Sequence, residues 1–150
     1  MSTGVSTFFA DSNLLIYWQD TAHPEKQMRA AAWVESLWLK GQGRLSWQVL
    51  HEFYWNATRK LRVENNLARG IVRELAQWSP VDTSLGLVES AWSWSERAQV
   101  PYWDGLILAA AERCEATYLL TEDFTAGRRY GDCTVLNPFT ADPDEYLPAT

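Results

Sequence analysis

Long apolar runs are missing from this 150-residue chain. No stretch approaches the roughly 20 apolar residues of a membrane-spanning helix. Cysteine is scarce. Cys114 and Cys133 stand far apart, without the paired spacing of a zinc site, and read as two reduced thiols of a cytoplasmic protein. The first residues carry no basic leader and meet Asp11 early, so no secretory signal is expected. A Walker-type glycine loop, an HExxH helix segment and a GxSxG elbow are all absent. That removes nucleotide switches, zinc proteases and serine hydrolases. No Asn-Gly or Asp-Gly step joins two candidate strands, so no β-hairpin is expected. Bulk positive charge is lacking too. A net charge of −6 argues against a protein that coats nucleic acid by charge alone, although site carboxylates masked by a cation would lower the total.

What is present fits one compact domain over residues 1–150. Hydrophobic residues make up 47%, an ordinary globular share that excludes disorder. Nine tryptophans are many for this length. Most belong in a core, but Trp92 and Trp94 cannot share one helix face and are candidates for a partner surface. Basic residues gather locally at Arg59, Lys60 and Arg62, at Arg69 and Arg73, and at Arg128 and Arg129. The plain reading of each group is a solvated helix face or turn.

Periodicity divides the chain into short strands and longer helices. Strands are expected at Thr7–Ala10, Arg44–Trp47, Tyr118–Thr121 and Thr134–Leu136, with a brief extended piece at Val81-Asp82. Helical stripes cover Ser12–Trp18, Glu25–Lys40, Val49–Leu61, a segment capped by Asn65 or Asn66, Leu85–Ala98 and Trp103–Cys114. Gly41–Gly43 and Pro80 are breakers. The tail after Phe139 is acidic and proline-bearing and reads as irregular. Strands alternating with helices predict an α/β fold, a parallel sheet with helices on both faces.

In such a sheet, ligands sit at the carboxyl ends of the strands. Asp11 follows the first strand, and Glu122 and Asp123 follow the "YLLT" strand. Two further acids stand oddly. Asp104, in "YWDGLILAAA", opens a helix and points along the apolar stripe of Ile107, Leu108 and Ala111. Glu52 sits early in its helix beside Val49 and Phe53, at the edge of the buried stripe. Each acid alone has an ordinary explanation: a helix cap, a polar turn, a surface residue. Four acids facing one edge are a different matter. Two like charges ~4 Å apart cost on the order of 4 kcal/mol at an effective dielectric near 20, a cost that a divalent cation offsets. An all-oxygen ligand set favours Mg2+ or Mn2+ over zinc.

From "FFADSNLLIYW" through "QVLHEF", "YWDGLILAAA" and "YLLTEDFTAG" to "TVLNPF", the chain resembles the PIN-domain ribonucleases, and most closely the VapC-type toxins of toxin–antitoxin pairs. No single motif is specific; their order, spacing and total length are. The resemblance implies a three-layer PIN-like fold with four to five short parallel strands. It implies a Mg2+-dependent endoribonuclease that leaves a 5′-phosphate and a 3′-hydroxyl. Carried over by position, the acidic quartet falls on Asp11, Glu52, Asp104 and Asp123. Asp11, Asp104 and Asp123 are the implied metal ligands, and Glu52 the implied holder of a second ion or of the attacking water. Asn13 and Thr121 match supporting polar positions. Which of Glu122 and Asp123 reaches the metal stays open in the sequence. Arg128 and Arg129 are candidates for gripping RNA. A small antitoxin and a second copy of the chain are the implied partners, with the helices at Trp33–Trp38 and Trp92–Trp94 as contact candidates.

Three rivals make different predictions. A metal-free ribonuclease using His51 and Glu52 would give cyclic phosphates and ignore EDTA, but sequence neighbours point apart on a helix. A phosphatase of the haloacid-dehalogenase type wants aspartate where Asn13 stands. A binding module without turnover would keep the fold and lack cleavage.

Overall fold

A computed structural model describes residues 5–148. One five-stranded sheet organises it, with strands β1 (Phe8–Ala10), β2 (Gly43–Arg44), β3 (Tyr118–Leu120), β4 (Arg129–Tyr130) and β5 (Cys133–Leu136). Their spatial order is β2-β1-β3-β5-β4. Pairings β1–β2, β1–β3 and β3–β5 are parallel, with Phe8 opposite both Gly43 and Tyr118. Six helices flank the sheet: α1 (Ser12–Trp18), α2 (Pro24–Lys40), α3 (Trp47–Arg59), α4 (Asn65–Leu75), α5 (Leu85–Ala98) and α6 (Tyr102–Arg113).

The central strands are apolar throughout because both faces are covered. Phe8, Phe9, Ala10, Leu119 and Leu120 are fully buried. At the amino edge an aromatic cluster closes the core. Phe8 stacks on Tyr118 at 5.2 Å and meets Trp33 at 5.6 Å, and Tyr146 packs against Tyr118 at 5.4 Å. The buried Trp33 indole donates from Nε1 to the carbonyls of Pro138 and Ala141, at 3.1 and 2.9 Å.

Helix ends follow local chemistry. Gly41 stops α2 in the left-handed region, at φ 68°. Ser46 and Ser84 cap α3 and α5 with their side chains. Gly105 sets the spacing of α5 and α6: a Cβ there would lie 2.5 Å from the Ala91 carbonyl oxygen. Only a residue without a side chain permits that approach.

Several expectations change. The sheet is mostly rather than wholly parallel, because β4 and β5 form an antiparallel hairpin. Its turn is Gly131-Asp132, with Gly131 at φ 61°. A Gly-Asp step serves a tight hairpin as well as Asp-Gly does. Strict alternation fails too. Helices α3 to α6 follow one another between β2 and β3, and Val81 makes only an isolated bridge to Ser46. Glu64, not Asn65 or Asn66, caps α4, accepting from the Leu67 N–H at 3.0 Å. The tail is no loose end. Trp33, Tyr118 and Tyr146 hold it, a short 3-10 turn spans Pro143–Glu145, and Leu147 is buried. Trp33 and Trp94 are core residues and cannot be contact surface, whereas Trp38 and Trp92 are exposed. Cys114 and Cys133 are free thiols, held up by burial, Cys133 to about 12.

Candidate active site

Asp11 serves the fold and the site at once. Its backbone N–H continues the sheet by donating to Leu120 O at 3.1 Å. Its side chain then caps α1, Oδ1 accepting from the Ser12 N–H at 2.7 Å. Asp11 is therefore an N-cap, as its ordinary explanation had it, yet the other oxygen faces the β3 end. Oδ2 accepts from the buried Thr121 hydroxyl at 2.8 Å. Parallel pairing of Ala10 with Leu120 places these two strand ends side by side.

Asn13, two residues into α1, ties the strand ends together. Its Nδ2 lies 3.0 Å from Thr121 Oγ1, 3.0 Å from Asp123 Oδ2 and 3.5 Å from Asp11 Oδ2. Three acceptors around one nitrogen fix the amide orientation, since the reversed amide would set oxygen against carboxylates. The Asp123 N–H donates back to Thr121 Oγ1 at 3.0 Å. Asn13 Oδ1 is left buried without a hydrogen-bond partner.

Glu122 and Asp123 part company here. Glu122 accepts from Lys26 Nζ at 2.7 Å, and that ammonium lies 4.4 Å from the Tyr17 ring centre and 5.0 Å from that of Phe139. The Glu122 hydrogen bond holds Lys26 above its usual range. Asp123 instead turns to Asn13. Lys26 was missed in the sequence, and no local signal marks it: it lies 96 residues from its partner.

Glu52 and Asp104 come from the two remaining sides. Glu52 lies in the second turn of α3 and Asp104 in the first turn of α6. Gln48 of α3 links the two helices by donating to the Trp103 carbonyl at 3.3 Å. Asp104 is half-buried, not turned fully into the apolar stripe. The ring of His51 neighbours Trp47, 6.2 Å away. It lines a groove with Tyr54, while Glu52 faces the acids, so the two do not form an acid–base pair.

Electrostatics shows that the four acids share one region. Burial pushes the Asp11 carboxyl up to about 7, against the Thr121 and Ser12 hydrogen bonds, and the Glu52 and Asp123 carboxylates push it further. Burial also raises Glu52; the Ser12 and Gln48 side chains oppose this, and Asp104 and Asp123 add to it. Asp104 is raised by burial and then by Asp123. Asp11 thus feels Glu52 and Asp123, Glu52 feels Asp104 and Asp123, and Asp104 feels Asp123. Their side chains nevertheless stand apart. Among the described residues no three His, Cys, Asp or Glu side chains are already disposed to hold one metal ion. The donor chemistry does fit a hard cation: carboxylate oxygens raised in pKa by burial first and by one another second, with an unpartnered amide oxygen on Asn13, whose Nδ2 binds the Asp11 and Asp123 carboxylates.

Arg128 and Arg129 are exposed. Arg128 stacks on Tyr130 at 4.8 Å, and Arg129 is bound to Gly131 O and Asp132 within its hairpin. The sequence profile of the PIN domain matches residues 8–130. The chain belongs to the PIN-domain family. This PIN domain superposes on the crystal structure of Mycobacterium tuberculosis VapC20, a sarcin-ricin loop cleaving toxin, with a TM-score of 0.55 and 16% sequence identity. The match covers 78% of this chain and 90% of that one. At such identity the likeness is one of fold. No curated protein matches the chain at the level of sequence. The PIN-domain match spans β1 to β4 and thus contains all four acids.

Proposed function

We propose that the chain is a metal-dependent endoribonuclease, a VapC-type toxin of a toxin–antitoxin pair. One observation carries the reading. Four acids from four different elements, distant in sequence, lie within one another's field at the carboxyl edge of a PIN sheet, with three of them raised in pKa. A fold without a cation there would bear that burial and repulsion of carboxylates for nothing.

A Mg2+ or Mn2+ ion bound among these oxygens supplies Lewis-acid chemistry, lowering the pKa of water and offsetting charge on a phosphodiester in transit. Asp11, Asp104 and Asp123 are the residues that would hold it. Thr121 and Asn13 fix the Asp11 and Asp123 oxygens in place by the hydrogen bonds described. Glu52, flanking the cluster, accepts a hydrogen bond from the attacking water and takes its proton. The bond from phosphorus to the 3′ oxygen breaks, that oxygen takes a proton from solvent, and the products are a 5′-phosphate and a 3′-hydroxyl. Lys26 withholds Glu122 from the cluster.

The proposed partners follow from the same reading. Among the described residues no helix is long and apolar enough to cross a membrane, which accords with a cytoplasmic protein. Met28 and Leu39 on α2 and Leu85 and Trp92 on α5 are apolar and exposed, and are the surface offered to an antitoxin or to a second copy. RNA, ribosomal RNA loops included, is the substrate class. The test is cleavage of total cellular RNA with Mg2+ and with EDTA, followed by mapping of the ends. Metal-dependent cuts ending in 5′-phosphate support the proposal. Cyclic-phosphate ends, or cutting indifferent to EDTA, overturn it.

A further inference from the structure

Outside the acidic site, the face between α3 and α4 departs most from the rest of the molecule. A groove of about 550 Å3 runs there, lined chiefly by Trp47, His51, Tyr54, Trp55, Arg69 and Arg73. Its aromatic groups are accessible: Trp55 is 57% exposed, His51 is exposed and Tyr54 half-buried. Two cations already engage its aromatic residues. The Arg59 guanidinium sits 4.4 Å from the Trp55 ring centre, and Arg69 Nε donates to Tyr54 Oη at 3.1 Å.

Charge sets this face apart as well. Residues 59–73 hold five of the chain's 13 Lys and Arg residues and a single acid, Glu64, in a protein of net charge −6. Glu64 is spent on capping α4. A negatively charged partner is therefore drawn to this face and repelled by most others. One rim of the groove adjoins the side of α3 that carries Glu52. Trp55 stands three residues after Glu52 on α3, so the two share one flank of the helix.

We propose that the α3–α4 groove is a track for single-stranded RNA leading into the acidic site. Bases stack on Trp55 and Tyr54, and phosphates pass Arg69 and Arg73. Alternating rings and cations suit a strand whose every unit carries a flat base and one negative charge. An apolar helix of a protein partner would use the rings and leave the arginines idle. The inference rests on the ribonuclease reading for its purpose, but RNA binding is measured without cleavage.

The experiment uses the full chain in EDTA and a fluorescein-labelled 12-nucleotide oligouridylate, with binding read by anisotropy over a range of salt. Loss of one base–aromatic stack weakens binding by about 5- to 150-fold, so Trp55→Ala is expected within that range. The double variant Arg69→Glu, Arg73→Glu weakens binding and flattens the salt dependence, by about 0.7 in log–log slope for each lost phosphate contact. Leu67→Ala, an exposed α4 change outside the groove lining, leaves binding as it was. Thermal melting checks that each variant is folded. Wild-type binding untouched by Trp55→Ala and by the arginine double variant overturns the track, as does absence of wild-type binding. A fall in sedimenting mass on Trp55→Ala, with RNA binding unchanged, assigns the groove to a second copy and overturns it likewise. Failure of the ribonuclease reading looks different: oligouridylate is bound through the groove, and total RNA stays uncut in Mg2+.

Discussion

The two edges of the sheet are built on opposite terms. At the amino edge, Phe8, Trp33, Tyr118 and Tyr146 bury large rings, and the one buried donor among them, the Trp33 indole N–H, has two carbonyl partners. At the carboxyl edge, Asp11 is buried with its carboxyl pushed up to about 7, and Asn13 Oδ1 has no partner. One edge holds the fold together and the other draws on it. Strain of this kind is tolerated where a site uses it.

The largest break in that comparison is chemical. Asp11→Asn keeps an acceptor for one of its two hydrogen bonds but removes the charge at the centre of the cluster. RNA cleavage in Mg2+ is expected to drop on the order of 10³-fold, the rate equivalent of about 4 kcal/mol, in a single-turnover assay on a folded variant. The opposite edge responds in the opposite way. Trp33→Ala removes a fully buried ring and orphans its two carbonyl partners, and costs about 3–5 kcal/mol in a urea titration. Its pH dependence of stability stays like the wild type's, because no acid lies in that cluster.

Cation and proton then sharpen the contrast. The Asp11 carboxyl keeps its proton up to about 7 in the folded chain but ionises near its ordinary 3.8 when unfolded. The folded state therefore binds more protons across that window. Its contribution is fully present below 3.8 and is lost as pH rises through about 7. In EDTA, stability is expected to fall by a few kcal/mol across this range, and Asp11→Asn flattens the curve. Mn2+ or Mg2+ at a hundred times its dissociation constant restores about 2.7 kcal/mol at pH 7.5, read as a rise in melting temperature. A melting temperature unmoved by either ion would count against a cation site. The smallest effect belongs to Lys26→Met. Its partly exposed pair with Glu122 is worth under about 1 kcal/mol, and the released Glu122 competes with Asp123, lowering cleavage less than tenfold.

How much of this was legible depended on sequence distance. The bounds of α1 and α5 and the place of β1 were plain, because apolar spacing and caps are local signals. Strand ends marked Asp11, Glu122 and Asp123 in the sequence, and the PIN resemblance pointed to Glu52 and Asp104 on their helices; the structure brings Asp11, Glu52, Asp104 and Asp123 within one another's field. What separates Asp123 from Glu122 was not legible. It is a lysine on α2, brought beside Glu122 only by tertiary packing. The tail was misread for the same reason: its acidic, proline-bearing residues look loose until Trp33 reaches across from α2. The hairpin was a different failure, a turn step read too narrowly.

Gly105 carries a last consequence. It sits beside Asp104 and lets α6 lean on the backbone of α5 at Ala91. The position of Asp104 is thus decided by a contact that involves no charge and no substrate. Bulk added at residue 105 would wedge the helix pair open and swing Asp104 off its companions. In a random library, silenced clones should therefore turn up well folded, with their lesion at a helix crossing and the acids all intact.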